Sequence, residues 1–136
     1  MALSTPILAS VKNYLGIHKE DDSFDEILVD NTKMSLLEMT DIGVIDDADG
    51  EPDFSEVTNK TTWEEVMRKL YPRLDSKVKN LLPYVETFIC ISVRLLFDPP
   101  ASQMILQMLK DKKNELIYRL NRHLDNMNWI IGDNNE

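Results

Sequence analysis

Residues 45–56, IDDADGEPDFSE, come closest to a ligand-binding pattern in this chain. Four of them match ligand or turn positions of the calcium-binding loop of an EF-hand: Asp47, Asp49, Gly50 and Glu56. The first position of such a loop needs an acidic ligand, but Ile45 stands there, and Pro52 lacks the N–H that would pair with a second loop. The pattern therefore favours a solvated acidic segment, and calcium-responsive binding is a weaker alternative.

Few other residues have the types and spacing that catalysis needs. His18 and His123 are far apart in the sequence, and neither has a partner at zinc-ligand spacing. Cys90 is the only cysteine and lies in the apolar run TFICISV, where cysteine usually behaves as a small buried hydrophobe. The sequence contains no phosphate-binding loop, dinucleotide motif or nucleophile elbow. We therefore predict a protein that is not an enzyme, with no catalytic residue, metal or cofactor.

Charge is unevenly distributed along the 136 residues, whose net charge is −9. Residues 1–57 contain three basic and fourteen acidic residues and carry −11, whereas residues 58–136 contain twelve and ten and carry +2. A chain this acidic gains nothing from counterion release on DNA or RNA, so we expect no sequence-specific nucleic-acid binding. The acidic half can instead face a basic protein surface, or it can simply aid solubility.

The most apolar window, residues 81–97, is too short and too polar for a membrane helix. It contains 17 residues, including Glu86 and Arg94, whereas a spanning helix needs about 20 mostly uncharged ones. The first residues also lack the features of a signal peptide. We therefore expect a soluble protein made in a cytoplasm, with no membrane contact.

Start and stop signals predict two helices at the beginning of the chain. Thr5 is a plausible N-cap for a helix over residues 6–15, which Gly16 can end in the left-handed conformation. Ser23 and Glu26 have the capping-box spacing and predict the start of a second helix. The second helix has an apparent apolar side made of these residues: Phe24, Ile27, Leu28, Met34, Leu37 and Met39.

The remainder of the chain predicts a long acidic loop and three more helices. Residues 41–60 are rich in Asp, Gly and Pro and lack helical periodicity. Thr61 or Thr62 starts a third helix, which Pro72 ends. A fourth helix begins at Asp75 or Ser76, is kinked or divided at Pro83, and is apolar enough to form the centre of the core.

The fifth helix is predicted over residues 99–126, with Asp98 as its cap. Its apolar stripe is Ile105, Met108, Leu109, Leu116, Ile117, Leu120, Leu124 and Met127. Its basic residues are Lys110, Lys112, Lys113, Arg119 and Arg122. They form a solvated face or contact an acidic neighbour, which a ring-forming protein can supply from its own acidic half. The prediction is an all-α bundle of about five helices, with one domain over residues 1–128 and a tail over 129–136.

Two stretches of the chain are similar to a known family. ILASVKNYLGIHKEDDSFDEIL, residues 7–28, resembles the opening of the phage head–tail connector (adaptor) family of tailed bacteriophages, in which a Val-Lys-x-Tyr-Leu type of helix precedes an Asp-rich link and a second helix. LPYVETFICISVRLLFDPP, residues 82–100, resembles the central helix of that family. The order and spacing of the match extend over most of the chain.

The resemblance implies a structural virion protein, assembled in the host cytoplasm and placed at the head–tail interface. Its subunits would form a homo-oligomeric ring, twelve-fold in symmetry, that binds the portal protein and a tail or stopper protein while DNA passes through the channel. The portal contact implied for the C-terminal part maps onto these residues: Arg119, Arg122, Trp129, Ile130 and Ile131. Such a channel must not hold the DNA, and an acidic lumen would repel it; Asp46, Asp47 and Asp49 are the candidates.

A second function class fits the same residues. An intracellular regulatory or antitoxin-like helical module would also be small, acidic and α-helical. It would form a small complex with one protein partner, whereas an adaptor would form a large ring with its portal. The sizes of the complexes therefore distinguish the two classes.

Overall fold

The computed structural model describes residues 3–74 and 78–134, with side chains described up to residue 126, and it contains five helices in that part of the chain. The helices are α1 (Ile7–Leu15), α2 (Asp25–Ile42), α3 (Trp63–Leu70), α4 (Val78–Phe97) and α5 (Gln103–Asn134). The described residues form no sheet, and only an isolated bridge pairs Pro6 with Thr62. The prediction of a small all-α bundle of about five helices is confirmed.

Helix α4 is the centre of the bundle, as its composition predicts. It contacts each of the other four helices, and Val85, Phe88 and Ile89 are completely buried. The helix runs unbroken through Pro83, so the predicted division into two segments is not seen. Its proposed starting residues, Asp75 and Ser76, lie outside the described residues.

Helix α4 is longer than the 17-residue apolar window considered above, so its length and composition, contrary to that expectation, would allow it to cross a membrane. Its most apolar window has a mean hydropathy of 1.4, and half of that window is buried inside the bundle. The core helix of a water-soluble protein has the same properties, so the composition of α4 is weak evidence for a membrane span.

The N-terminal segment is held against the start of α3. The amide of Trp63 donates to the Thr5 carbonyl, and the indole Nε1 of Trp63 donates to Ser10 Oγ at 2.9 Å. Thr62 caps α3 by accepting a hydrogen bond from the Glu65 amide, as predicted. Thr5 does not cap α1. Pro6 occupies the N-cap position, and no side-chain hydrogen bond caps the helix. These contacts fix α1 against a helix more than fifty residues away in sequence.

Helices α1 and α2 form a hairpin that is joined by a buried ion pair. Gly16 ends α1 with φ +76°, as predicted. Lys12 is almost fully buried, and its Nζ lies 2.6 Å from Asp25 Oδ1 in the first turn of α2. The Ser23–Glu26 capping box does not form; the cap residue of α2 is Phe24, and the Ser23 amide donates to Asp21 Oδ1 instead.

The buried face of α2 differs from the predicted one. Its buried residues are Leu28, Thr32, Ser35, Leu36 and Met39. The hydroxyls of Thr32 and Ser35 can be buried because each donates to a carbonyl one turn earlier, that of Leu28 and Asn31 respectively. Ile27, Met34 and Leu37, which the apolar pattern assigned to the core, are exposed. Helix α2 is therefore apolar on two sides, and only one of them packs inside the chain.

Residues 43–62 contain no helix, but they are not the solvated loop that their composition suggests. Four apolar side chains of this segment are buried in the core: Val44, Ile45, Phe54 and Val57. The hydroxyl of Tyr71, just after α3, donates to the Val44 carbonyl at 2.8 Å. The predicted solvated loop is therefore only partly right, because its two ends supply apolar side chains to the core while residues 47–51 are exposed.

Helix α5 begins later and ends later than predicted. Asp98, Pro99 and Pro100 precede the helix, and Ser102 Oγ accepts from the Ile105 amide in its first turn. Its contacts are mainly with α4, and its buried residues are Leu116, Leu120 and Leu124. The backbone of residues 129–134 continues the helix.

Candidate interaction surfaces

A groove lies between α2 and α5, with the end of α4 as its floor. Its volume is about 380 Å³. The lining includes Met34 and Leu37 from α2, Leu95 and Leu96 from α4, and Lys113 from α5. Met34 is 56% exposed and Leu96 is 55% exposed, so the groove presents large apolar side chains to solvent.

Charged residues border this groove on the α2 side. Glu38 and Asp41 both line it. Glu38 accepts hydrogen bonds from Lys113 Nζ, which also lies 5.1 Å from the centre of the Phe88 ring. Asp41 takes part in no ion pair with another described residue. The groove therefore combines an apolar floor with one carboxylate that is available to a partner.

The first half of α5 presents a second exposed apolar surface, which we call the methionine stripe (Met104, Ile105 and Met108). These side chains are 72%, 47% and 63% exposed. Residues three and four apart lie on one side of a helix, so the three form a continuous strip. Lys112 lies one turn beyond Met108 on the same side and is half exposed. Ile105 and Met108 belong to the predicted apolar stripe of this helix, but they are exposed and do not pack in the core.

The second half of α5 brings the two predicted basic residues together. A cavity of about 450 Å³ is lined by Glu115, Tyr118, Arg119, Arg122, His123 and Asn126. Arg119 Nε donates to Glu115 Oε1 at 3.0 Å, which lowers the pKa of Glu115. No described acidic group forms an ion pair with Arg122. The side chains of Trp129, Ile130 and Ile131 lie outside the described residues.

The three candidate acidic residues of the channel have different environments. Asp47 and Asp49 are exposed. Asp46 is buried, and its carboxylate is paired with the Arg73 guanidinium at 2.7 Å. Burial alone would raise the pKa of Asp46, but the hydrogen bonds from Arg73 and from the Ala48 amide outweigh it, so the net shift is downward. Asp46 is a structural anchor of the segment, which its sequence context did not indicate.

The described residues offer little for catalysis or metal binding. None of their His, Cys, Asp and Glu side chains form a group of three or more that could hold a metal ion. Cys90 is buried, and that burial, aided by Glu86, raises the pKa of its thiol to about 12. A thiol with such a pKa is a poor nucleophile at neutral pH.

The groove and the methionine stripe are the features that sequence reasoning missed. Helical periodicity marks apolar faces but does not tell a face that packs within the chain from one left open. A detectable signal was present in α2, where apolar residues occupy two sides and Asp30 and Asp41 lie among the outer ones. A helix that is apolar on two sides has two surfaces to bury.

The described residues define a small all-α bundle with open apolar and charged surfaces. Comparison with known families then identifies the kind: the family model described as phage connector protein matches residues 7–127. The chain belongs to this family of phage virion components, and the resemblance seen in its first helices is confirmed. This is a structural family whose members are generally not enzymes. Comparisons with curated proteins and with solved structures gave no match.

Proposed function

We propose that this chain is the subunit of a head–tail connector that assembles as a ring beneath the portal and links the capsid to the tail or a stopper protein. The observation that carries the proposal is the family match over residues 7–127, which includes all of α1 to α4 and most of α5. The proposal is supported by a bundle that leaves apolar and charged surfaces open at its edge.

The portal contact in this proposal lies in the second half of α5. Arg122 projects from an exposed face beside Arg119, and both line the same cavity. An exposed arginine without an ion-pair partner among the described residues can form a bidentate pair of hydrogen bonds with a carboxylate of a partner. Trp129, Ile130 and Ile131 would supply apolar anchors to the same contact.

The channel surface in this proposal includes Asp47 and Asp49 but not Asp46. The two exposed carboxylates can repel the DNA backbone, whereas the Asp46 charge is compensated by Arg73. DNA would therefore pass a surface that does not retain it.

The portal protein encoded in the same genome provides the test. The two proteins are co-expressed, and their complexes are examined by native mass spectrometry and electron microscopy. We expect a ring of this chain, twelve-fold in the simplest case, on the portal. Arg122→Glu should weaken portal binding strongly. Lys79→Glu changes an exposed basic residue of α4, outside the proposed contacts, and should leave binding unchanged.

A stable complex of one copy with a single non-virion partner, without any binding to the portal, would contradict the proposal. That result would favour the regulatory class instead. Equal loss of portal binding in the Arg122 and Lys79 variants would contradict the assignment of the contact, because a general charge effect would then explain both.

A further inference from the structure

We infer that neighbouring subunits contact each other through the methionine stripe of one copy and the groove between α2 and α5 of the next. The inference deepens the proposed ring and rests on it. The segment that occupies the groove comes from a second copy of this chain and consists of α5 residues 104–112. The ring contact would thus be formed by two different surfaces of one polypeptide.

The groove has the size and chemistry to accept this segment. Its volume of about 380 Å³ can hold a few large aliphatic side chains. Met34, Leu37 and Leu96 line it and remain about half exposed. Methionine side chains adapt well to such irregular apolar surfaces, because they are unbranched and flexible.

The stripe and the groove also match in the spacing of their charges. Asp41 follows Leu37 by four residues in α2, and Lys112 follows Met108 by four residues in α5. Residues four apart are separated by one helical turn. If Met108 sits on Leu37 and the two helices run parallel, Lys112 can lie beside Asp41, which forms no ion pair with another described residue of its own chain. Lys112 would then exchange its exposed intrahelical partner Glu115, at 3.6 Å, for Asp41.

The charge distribution favours contacts between unlike surfaces. The half of the chain that contains α2 carries −11, and the half that contains α5 carries +2. Pairing α2 with α2 would bring carboxylates together, whereas pairing α2 with α5 brings opposite charges together. A contact between two different surfaces of one protein is heterologous, and repetition of such contacts closes a ring when the rotation allows it.

Cysteine cross-linking of the full-length chain tests this contact directly. Leu37→Cys and Met108→Cys proteins are prepared separately, mixed at high concentration and oxidised mildly, with the buried Cys90 left in place. We expect the mixed disulfide dimer to form about tenfold faster than when Tyr118→Cys replaces Met108→Cys, because only the proposed neighbours have a high effective concentration. Tyr118 is a matched control, since it is 65% exposed on the same helix.

The charge pair is tested in the same assay. Lys112→Glu or Asp41→Lys should slow the cross-link by about two- to five-fold, as expected for an exposed ion pair. The two changes combined, each on its own copy, should restore the rate. Circular dichroism checks that each variant is folded.

Equal rates for Met108→Cys and Tyr118→Cys would overturn the inference. A preference for Leu37→Cys homodimers would also overturn it, because that product indicates a two-fold contact between identical surfaces. Either result leaves the portal experiment unaffected. Conversely, a chain that cross-links as expected but never binds a portal would refute the proposed function and not this contact.

Discussion

The Asp46 carboxylate forms a two-pronged ion pair with the Arg73 guanidinium. Arg73 Nη2 donates to Asp46 Oδ1 at 2.7 Å, and Arg73 Nε lies 3.0 Å from both carboxylate oxygens. The Arg73 amide also donates to Oδ2, and the Ala48 amide donates to Oδ1. This pair joins the segment that follows α2 to the turn that follows α3.

Replacing the carboxylate by an amide should loosen this junction. We expect Asp46→Asn to lower the free energy of unfolding by about 1–3 kcal/mol, since several charge-assisted hydrogen bonds are lost at a buried site. Chemical denaturation followed by circular dichroism measures the change. Asp47→Asn is the matched control, because the neighbouring side chain is exposed, and it should change stability by less than about 0.5 kcal/mol.

The same pair should make stability depend on pH. The pKa of Asp46 is lower in the folded chain than its unfolded value of about 3.9. The stabilisation is therefore fully present above that unfolded value and is lost as the pH falls through the folded pKa. The stability difference between the unmodified chain and Asp46→Asn should shrink progressively below about pH 4. A difference that stays constant down to pH 2 would contradict this account.

The Lys12–Asp25 pair should respond unequally to loss of either partner. The Lys12 side chain is 6% exposed and that of Asp25 is 22% exposed. Asp25→Asn leaves a buried ammonium without its counter-charge, at a cost of about 1–3 kcal/mol for this partly buried pair. Lys12→Met should lower the free energy of unfolding by less. The methionine side chain fills the space of the lysine methylene groups, and Asp25 still reaches water near the positive end of α2.

Urea denaturation of these two variants and of the double variant gives the order of their free energies of unfolding. The double variant Lys12→Met, Asp25→Asn should be more stable than Asp25→Asn alone, because it buries no unpaired charge. The opposite order for the single variants would indicate that Asp25, and not Lys12, has the more desolvated charge.

The Cys90 thiol should be inert in the folded chain. Its pKa is raised to about 12 by burial, so at pH 8 only about one molecule in ten thousand would carry the thiolate. We expect the reaction with a coloured disulfide reagent to proceed at the rate of unfolding and to become immediate in denaturant. Fast labelling under native conditions would show that α4 is accessible, contrary to its central position.

Neutralising the exposed acidic residues should affect DNA and not folding. Asp47→Asn combined with Asp49→Asn should leave the free energy of unfolding within about 0.5 kcal/mol of that of the unmodified chain. If these residues face the channel, particles that contain the variant should release DNA more slowly or less completely. Unchanged DNA release, measured by fluorescence of a DNA-binding dye, would show that these residues do not line the channel.

Local signals predicted the helices well where those signals were confined to neighbouring residues. Gly16, Thr62 and the double proline at 99–100 mark boundaries because each acts on the backbone within a few residues. The central position of α4 also follows from its composition alone. Ser23 failed as a cap because the Asp21 carboxylate engages its amide and the helix begins later.

The candidate surfaces were harder to predict because they depend on what each face meets. In α2, Thr32 and Ser35 face the core of the bundle, while Met34 and Leu37 face outward. Helical periodicity alone would place the apolar Met34 and Leu37 inside and the two polar residues outside. Asp46 could not be told from Asp47 and Asp49 by composition, since its partner Arg73 is distant in sequence. Only a three-dimensional arrangement shows which of several similar residues finds a partner.

The central position of α4 has a consequence for how this polypeptide acquires its shape during synthesis. The first three helices emerge from the ribosome before the residues that will cover them, since α4 begins only at Val78. Until that helix appears, α1 can contact only α2 and the start of α3, and the face of α2 that packs on α4 remains exposed to water. We therefore expect the nascent chain to remain largely unfolded until late in translation and then to fold in one cooperative step.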